Sequence, residues 1–164
     1  MYILALDPGD AETAYTVIDV QTFEPIETNI LQNLVLLNKL EEIIEKYKIK
    51  FVAIEMIKSY GMGVGDHIFE TCVWIGRFLE HVIMRDCQAE RIARMEEKMH
   101  ICKMPQARDS NIRRALIDRF ARHDKRSGKG TIKNPDFFYG FVDDMWAAYA
   151  VGLTFIETKL KDLL

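Results

Sequence analysis

The sequence predicts an α/β fold: a mixed five-stranded sheet, its first three strands antiparallel, flanked by helices in a single domain over residues 1–164. Three observations predict it. The chain opens with three strand-like runs separated by turn signals. A helical stretch then returns it to Phe51-Val52-Ala53-Ile54, short and continuously apolar, as suits a parallel strand covered on both faces. Helical segments with apolar faces dominate the remaining length and supply the cover.

Residues 2–7, Tyr2-Ile3-Leu4-Ala5-Leu6-Asp7, read as a buried strand. Pro8-Gly9-Asp10 signals a turn into a second, antiparallel strand at 13–20, rich in β-branched and aromatic residues, and 25–31 supply a third. Asn33 is placed as the N-cap of a helix reaching residue 48, with Leu36, Leu37, Leu40, Ile43 and Ile44 at helical spacing. Residues 50–56 then form the central parallel strand. Gly61, Gly63 and Gly65 loosen the stretch 58–65, which lacks the pattern of a phosphate-cradling P-loop and is expected to form a substrate-facing lid. Asp66 is expected to cap a helix to about residue 85. Its apolar set, from Ile68 and Phe69 through Val73, Trp74 and Phe78 to Ile83, exceeds a single stripe. One face covers the sheet, and the surplus, with Gly76 permitting close approach, suits a second subunit. Residues 90–94 and 99–103 are candidate strands, with 95–98 equally readable as a helical turn. Asp109 or Ser110 begins an amphipathic helix to about residue 122, exposing Arg113, Arg114 and Arg119 and burying Ile112, Leu116, Ile117 and Phe120. The Lys, Gly, Ser, Asn and Pro of 123–139 read as a flexible basic loop. Asp143-Asp144 lead into a last helix, 145–163, whose Ala147, Ala148, Ala150 and Gly152 allow close packing on the sheet.

Composition narrows the function. At 49% hydrophobic and 29% charged residues the chain has the make-up of a globular protein able to bury a core without staples. No apolar stretch reaches the length of a membrane span and the start lacks the basic region of a signal peptide, so a cytosolic protein without a membrane partner is expected. Cys72, Cys87 and Cys102 are odd in number and widely spaced, which argues against a disulfide framework and a zinc site; His67, His81, His100 and His123 show no metal-ligand spacing. The net charge of −3 is unevenly spread: residues 85–134 carry 14 Lys and Arg against 7 Asp and Glu, a local +7. Such a segment on an acidic body predicts binding to a phosphate backbone. Glu96, Glu97, Asp109 and Asp118 are placed to pair internally with some of its cations.

Three acids mark the chemistry. Asp7 closes the first strand, Glu55 closes the central one, and Asp144 opens the last helix. A carboxylate directly after a buried strand emerges at the carboxyl edge of the sheet, where open α/β sheets place their ligands. Each acid alone would serve as a turn residue or helix cap. Together they read as a divalent-metal site, because a hard cation such as Mg²⁺ takes oxygen ligands and completes its shell with water and substrate phosphate.

Leu6-Asp7-Pro8-Gly9 with Thr13 matches a D-P-G-x-x-x-T opening, Val52-Ala53-Ile54-Glu55 a second motif, and Asp144-Met145-Trp146-Ala147-Ala148-Tyr149-Ala150-Val151-Gly152-Leu153-Thr154 a closing helix of the form D-x-x-D-A-L-A-x-A-x-T. In these motifs, and in 109–120 and 128–140, the chain resembles the RuvC family of Holliday-junction resolvases, within the ribonuclease H-like superfamily, and its bacteriophage branch in particular. The resemblance implies a metal-dependent, structure-selective endodeoxyribonuclease that cuts four-way and other branched DNA junctions and leaves 5′ phosphates. It further implies two Mg²⁺ ions about 3.5–4 Å apart, replaceable by Mn²⁺, and a homodimer working in the cytoplasm, that of the host if the protein is phage-encoded. Asp7, Glu55 and Asp144 match the family's acidic ligands; the position of a fourth, one turn after Asp144, holds Ala147, which leaves Asp143 as the candidate replacement. Ala14 stands where the opening motif usually has glycine. The family's basic helper falls near Asp109, pointing to Arg108 or Lys103, and its aromatic wedge falls at Lys58, with Tyr60 as the candidate. DNA contacts are assigned to Lys58, Tyr60, Lys103, Arg108, Arg113, Arg114, Lys125, Arg126, Lys129 and Lys133. Two further readings share the fold: a less selective nuclease acting on branched DNA, flaps or RNA, and a non-catalytic junction-binding protein in which Ala147 marks lost chemistry. Actin-like and sugar-kinase ATPases also open with an aspartate-glycine turn, but they need two such domains, more than 164 residues hold.

Overall fold

The computed structural model describes residues 1–58, 61, 63 and 65–164. Three consecutive strands, β1 (Tyr2–Pro8), β2 (Glu12–Asp19) and β3 (Pro25–Gln32), pair antiparallel; β4 (Phe51–Met56) and β5 (Gln88–Ala93) then add in parallel beyond β1. The sheet order is β3-β2-β1-β4-β5, the mixed five-stranded arrangement expected from the sequence. Alternation along the strands divides the core in two. Leu4 and Leu6 of β1 and Val52 and Ile54 of β4 face α1 (Asn33–Tyr47) and α2 (Asp66–Ile83). Ile3 and Ala5, with Phe51 and Ala53, face α4 (Asp109–Phe120) and α5 (Met145–Thr158). Helix α5 lies close on the sheet at Gly152, where a Cβ would stand 2.5 Å from Ile18 Cδ1 and 2.9 Å from Ala5 Cβ.

The opening turn is tied down by a residue the sequence places differently. Asn33 was expected as a helix cap, but Gln32 holds that position without a side-chain bond. Asn33 is instead buried in the first turn: its Oδ1 accepts from Thr13 Oγ1 at 2.5 Å and its Nδ2 donates to the Gly9 carbonyl at 3.0 Å. Similarly, Gly65 occupies the cap position of α2, and Asp66 stands in the first turn, where the helix dipole favours an acid.

Three expected features are corrected. Residues 99–103 are not a strand: β5 ends at Ala93, Glu96 turns back so that Oε1 accepts from the Ala93 N–H at 3.2 Å, and α3 (Arg94–Glu97) runs directly into a π-helical turn, Lys98–Cys102. Nor is 123–139 a loose loop. Asp136 accepts backbone N–H bonds from Arg122, His123, Asp124 and Phe137 at 2.6–2.9 Å, and Asp124 accepts from the N–H groups of Arg126, Ser127 and Gly130. Phe138, fully buried, drops into an aromatic cluster with Phe141, Trp146 and Tyr149. The last helix is also shorter than read, ending at Thr158 before a 3₁₀ turn at Leu160–Asp162. The three cysteines are free, and among the described residues no helix is long and apolar enough to cross a membrane. The expected lid at 58–65 includes residues 59, 60, 62 and 64, outside the described residues.

Candidate active site

Strand register brings the first two acids together. In the parallel pair β1/β4, Leu6 lies opposite Ile54, so Asp7 and Glu55 are the next residues on adjacent strands at the same carboxyl edge. By parity Asp7 falls on the Ile3/Ala5 side of β1 and Glu55 on the Phe51/Ala53 side of β4, which is the face covered by α5. Asp144, the N-cap residue of α5, arrives on that same face. The motif threonine and glycine act nearby: Thr13 and the Gly9 carbonyl bind Asn33, and a Cβ on Gly9 would stand 2.7 Å from the Glu12 carbonyl, so the turn after Asp7 is closed only with glycine there.

The electrostatics reflect how close the acids lie. Asp7 is held well above the ordinary carboxylate range, first by burial, then by Glu55 within hydrogen-bonding reach, and further by the negative charges of Asp144 and Glu97. Asp144 is raised by partial burial and by Asp143, Asp109 and Glu55. Glu97, fully buried, is likewise pushed up by burial and by Glu55, with Arg94 opposing. Arg94 is the cation of the cluster: its Nη1 donates to Glu97 Oε2 at 2.8 Å and lies 3.7 Å from Glu55 Oε1, while its Nη2 pairs with Asp109. Glu97 and Arg94 escape a sequence reading because Arg94 reads as the end of a strand and Glu97 as part of a turn pairing with the basic segment, with nothing local to place either beside Glu55.

Asp144 stands between two clefts. One, of about 220 Å³, is lined by Arg94, Asp109, Asp143, Trp146 and Ala147; the other, of about 510 Å³, by the 9–12 turn, Asn33 and Trp74. Asp143 adopts a left-handed backbone conformation with φ 39°, which an aspartate tolerates better than most residues. As the side chains lie, no three His, Cys, Asp or Glu of the described residues form a ready metal-holding group, and the Arg94 guanidinium stands among the acids. The donor chemistry nevertheless suits a hard divalent cation. The cluster offers oxygen ligands, neighbouring negative charge raises Asp7 and Glu97, and the buried Glu97 Oε1 has no hydrogen-bond partner among the described residues.

The basic residues sort into two sets. Arg114 pairs with Asp118 and donates to the Lys125 carbonyl, and Lys125 Nζ in turn donates to the Asp118 and Ala121 carbonyls, so both close the end of α4. Arg119 and Arg122 pair with Glu157 and Glu24. Lys103, Arg108, Arg126, Lys129 and Lys133 have no ion pair among the described residues, and Arg113 lies over the Trp146 ring at 4.6 Å, beside the smaller cleft. Lys58 sits 3.9 Å from Glu96, and Tyr60 lies outside the described residues. The pairing foreseen within the basic segment is found for Glu97 and Asp109 with Arg94 and for Asp118 with Arg114, whereas Glu96 takes Lys58 and Lys159 from outside the segment.

No protein-family model matches the sequence, and no curated protein does. Two solved structures share the fold end to end. Thermus thermophilus RuvC is 12% identical, covering 98% of this chain and 97% of that one with a TM-score of 0.71. T. thermophilus RuvC in complex with Holliday junction substrate is 10% identical, covering 94% and 92%, with a TM-score of 0.67. The chain therefore has the ribonuclease H-like fold of RuvC.

Proposed function

We propose that the chain is a metal-dependent, structure-selective endodeoxyribonuclease that cleaves four-way and other branched DNA junctions and leaves 5′ phosphates. The observation that carries this is the meeting of Asp7, Glu55 and Asp144 on the α5 face of the carboxyl edge, in a chain that matches RuvC over nearly its whole length. Asp7 lies central, with Glu55 and Asp144 as neighbours, a disposition that suits holding two Mg²⁺ ions, with Mn²⁺ as a substitute. Bound there, such ions supply Lewis acidity for activating water and for stabilising the departing 3′ oxygen. Asp143 lines the cleft beside Asp144 and is likewise exposed. The amino end of α5 adds a partial positive charge facing a bound phosphate.

The unpaired cations, Lys103, Arg108, Arg113, Arg126, Lys129 and Lys133, together with Lys58, would hold phosphates, which fixes the position of the DNA without reading its bases. The T. thermophilus RuvC complex with Holliday junction substrate supports branched DNA as the partner. A four-way junction presents two strands related by approximate two-fold symmetry, and the exposed apolar side chains Phe69 and Val73 on α2 suit a symmetric homodimer with two active sites.

Cleavage of an end-labelled four-way junction, beside matched linear duplex and a three-way fork, in Mg²⁺ and in Mn²⁺, tests this reading. Paired symmetric nicks on the four-way junction, abolished by Asp7→Asn, are expected. Equal cutting of forks would make the protein a general branch nuclease, and binding without cutting in either metal would leave a junction-binding module.

A further inference from the structure

Glu97 and Asp136 are the least exposed carboxylates among the described residues, and they are partnered in opposite ways. Asp136 has both oxygens filled by backbone donors: Oδ1 by the N–H groups of Arg122 and Phe137, Oδ2 by those of His123 and Asp124. That is a buried acid with a structural task. Glu97, with no exposed surface, has one oxygen filled, Oε2 by Arg94 at 2.8 Å, while Oε1 has no partner among the described residues. Burying a charge half-satisfied is costly, and the usual remedy is a further donor or a metal. Glu97 belongs to the acidic centre: Glu55 lies within hydrogen-bonding reach of it, and its charge acts on Asp7.

A purely structural pairing with Arg94 explains this poorly. Arg94 already pairs with Asp109 and lies near Glu55, so the guanidinium is served without Glu97, whereas Glu97 adds negative charge beside Glu55. Ala147, one turn along α5 from Asp144, lines the same cleft as Asp144 and Arg94 and offers no carboxylate there. We propose that Glu97 is the fourth carboxylate of the acidic centre, a ligand for a divalent cation beside Glu55 and Asp7, and that Arg94 is the internal cation that holds Glu97 until a divalent ion takes over. When it releases Glu97, Arg94 keeps Asp109 as its partner. The inference rests on the metal-nuclease reading and adds to it a ligand from the β5 edge, outside the three motifs.

Direct Mn²⁺ binding to the full chain, followed by the paramagnetic resonance signal of free Mn²⁺, tests it without relying on cleavage. Asp7→Asn serves as the positive control and the surface change Glu70→Gln as the negative one. Glu97→Gln is expected to weaken Mn²⁺ binding by about tenfold or more, and Arg94→Met, which removes the competing guanidinium, to tighten it. Wild-type binding in a folded Glu97→Gln protein, with Asp7→Asn impaired, would overturn the proposal and leave the nuclease reading standing. No Mn²⁺ uptake by the wild type would end both. Unchanged or weaker binding by Arg94→Met would remove Arg94 from the proposal. If Glu97→Gln fails to fold, the paired change Arg94→Met with Glu97→Met replaces the ion pair by apolar groups of similar volume. Weakened Mn²⁺ binding in that folded protein supports Glu97 as a ligand, and wild-type binding overturns it.

Discussion

Asp136 shows how much one side chain can organise. Burial alone would push its carboxyl up, but the N–H bonds from Arg122, Asp124, His123 and Phe137 outweigh it and hold the group well below the ordinary carboxylate range. A depressed native value means that the stabilisation is fully present above the ordinary carboxylate range and is lost as the pH falls through the native value. Asp136→Ala would leave four N–H groups to find water in a part-buried turn, and each unsatisfied buried donor costs about 1–3 kcal/mol. A loss of about 3 kcal/mol in denaturant unfolding is therefore expected, together with a flatter acid limb; an unchanged midpoint would mean that the loop is held by Phe138 packing alone. Nothing in the sequence around Asp136 distinguishes it from any loop acid, because three of its four partners lie 12–14 residues away in a turn whose geometry the sequence does not spell out. The same reason separates the legible site residues from the rest. Asp7, Glu55 and Asp144 sit at strand and helix ends, where position follows from local pattern. Glu97 and Arg94 take their places only through the short helix after β5 and its contacts with Glu55 and Asp109.

Among elements, α5 is the one on which site and core depend together. Its burial is nearly all round, so it lacks the single apolar stripe of a surface helix; its inner residues Ala148, Ala150 and Gly152 are small enough to bring it close on β1 and β2. Gly152→Leu tests that closeness. Leucine favours a helix over glycine by about 1 kcal/mol, but its Cβ would stand 2.5 Å from Ile18 Cδ1, which can rotate, and 2.9 Å from Ala5 Cβ, which cannot, so α5 must lift from the sheet. Overpacking costs typically about 1–3 kcal/mol, and a side chain this large belongs at the upper end. The expected net loss is about 2 kcal/mol, or roughly 4–8 °C in melting temperature for a chain of this size. Because Asp144 rides on the same helix, junction cleavage should fall further than stability does; a Tm within 1 °C of wild type, on the order of the error of a melt, would show that the helix has slack. The five strands and α1, α2, α4 and α5 were legible because apolar runs or helical spacing mark them: β1, β2 and β4 are buried almost throughout, α1, α2 and α4 along one face, and α5 nearly all round. The π-helical turn at Lys98–Cys102 has neither period, since only part of one face touches the core, through Ile101 and Cys102.

At the scale of the whole molecule, the proposed action on a four-way junction depends on what one chain leaves uncovered. The surplus apolar face read from the sequence is found on α2: Phe69, Val73 and Ile83 are exposed with Gly76 between them, while Thr71, Ile75, Phe78 and Val82 are buried on the opposite side. The spacing of 69, 73, 76 and 83 puts these residues on one side of the helix, and a side chain added at Gly76 would meet nothing within 4 Å. The basic segment was legible as a charge excess, but which cations face outward was not, since Arg114, Arg119 and Arg122 take partners from Asp118, Glu157 and Glu24 only once the chain is folded. A symmetric pair joined through α2 would present two acidic centres to two strands. Phe69→Glu with Val73→Glu should separate such a pair at little cost to the subunit, since exposed positions away from the core usually change stability by no more than about 0.5 kcal/mol. Size-exclusion chromatography with light scattering is expected to show a dimer for the wild type and a folded monomer for the double variant. Four-way junctions should then be nicked on one strand at a time, while single-strand nicking per subunit persists. A wild-type protein that is monomeric at micromolar concentration and still makes paired nicks would sink the α2 dimer, whereas a double variant that stays dimeric would move the interface to another surface.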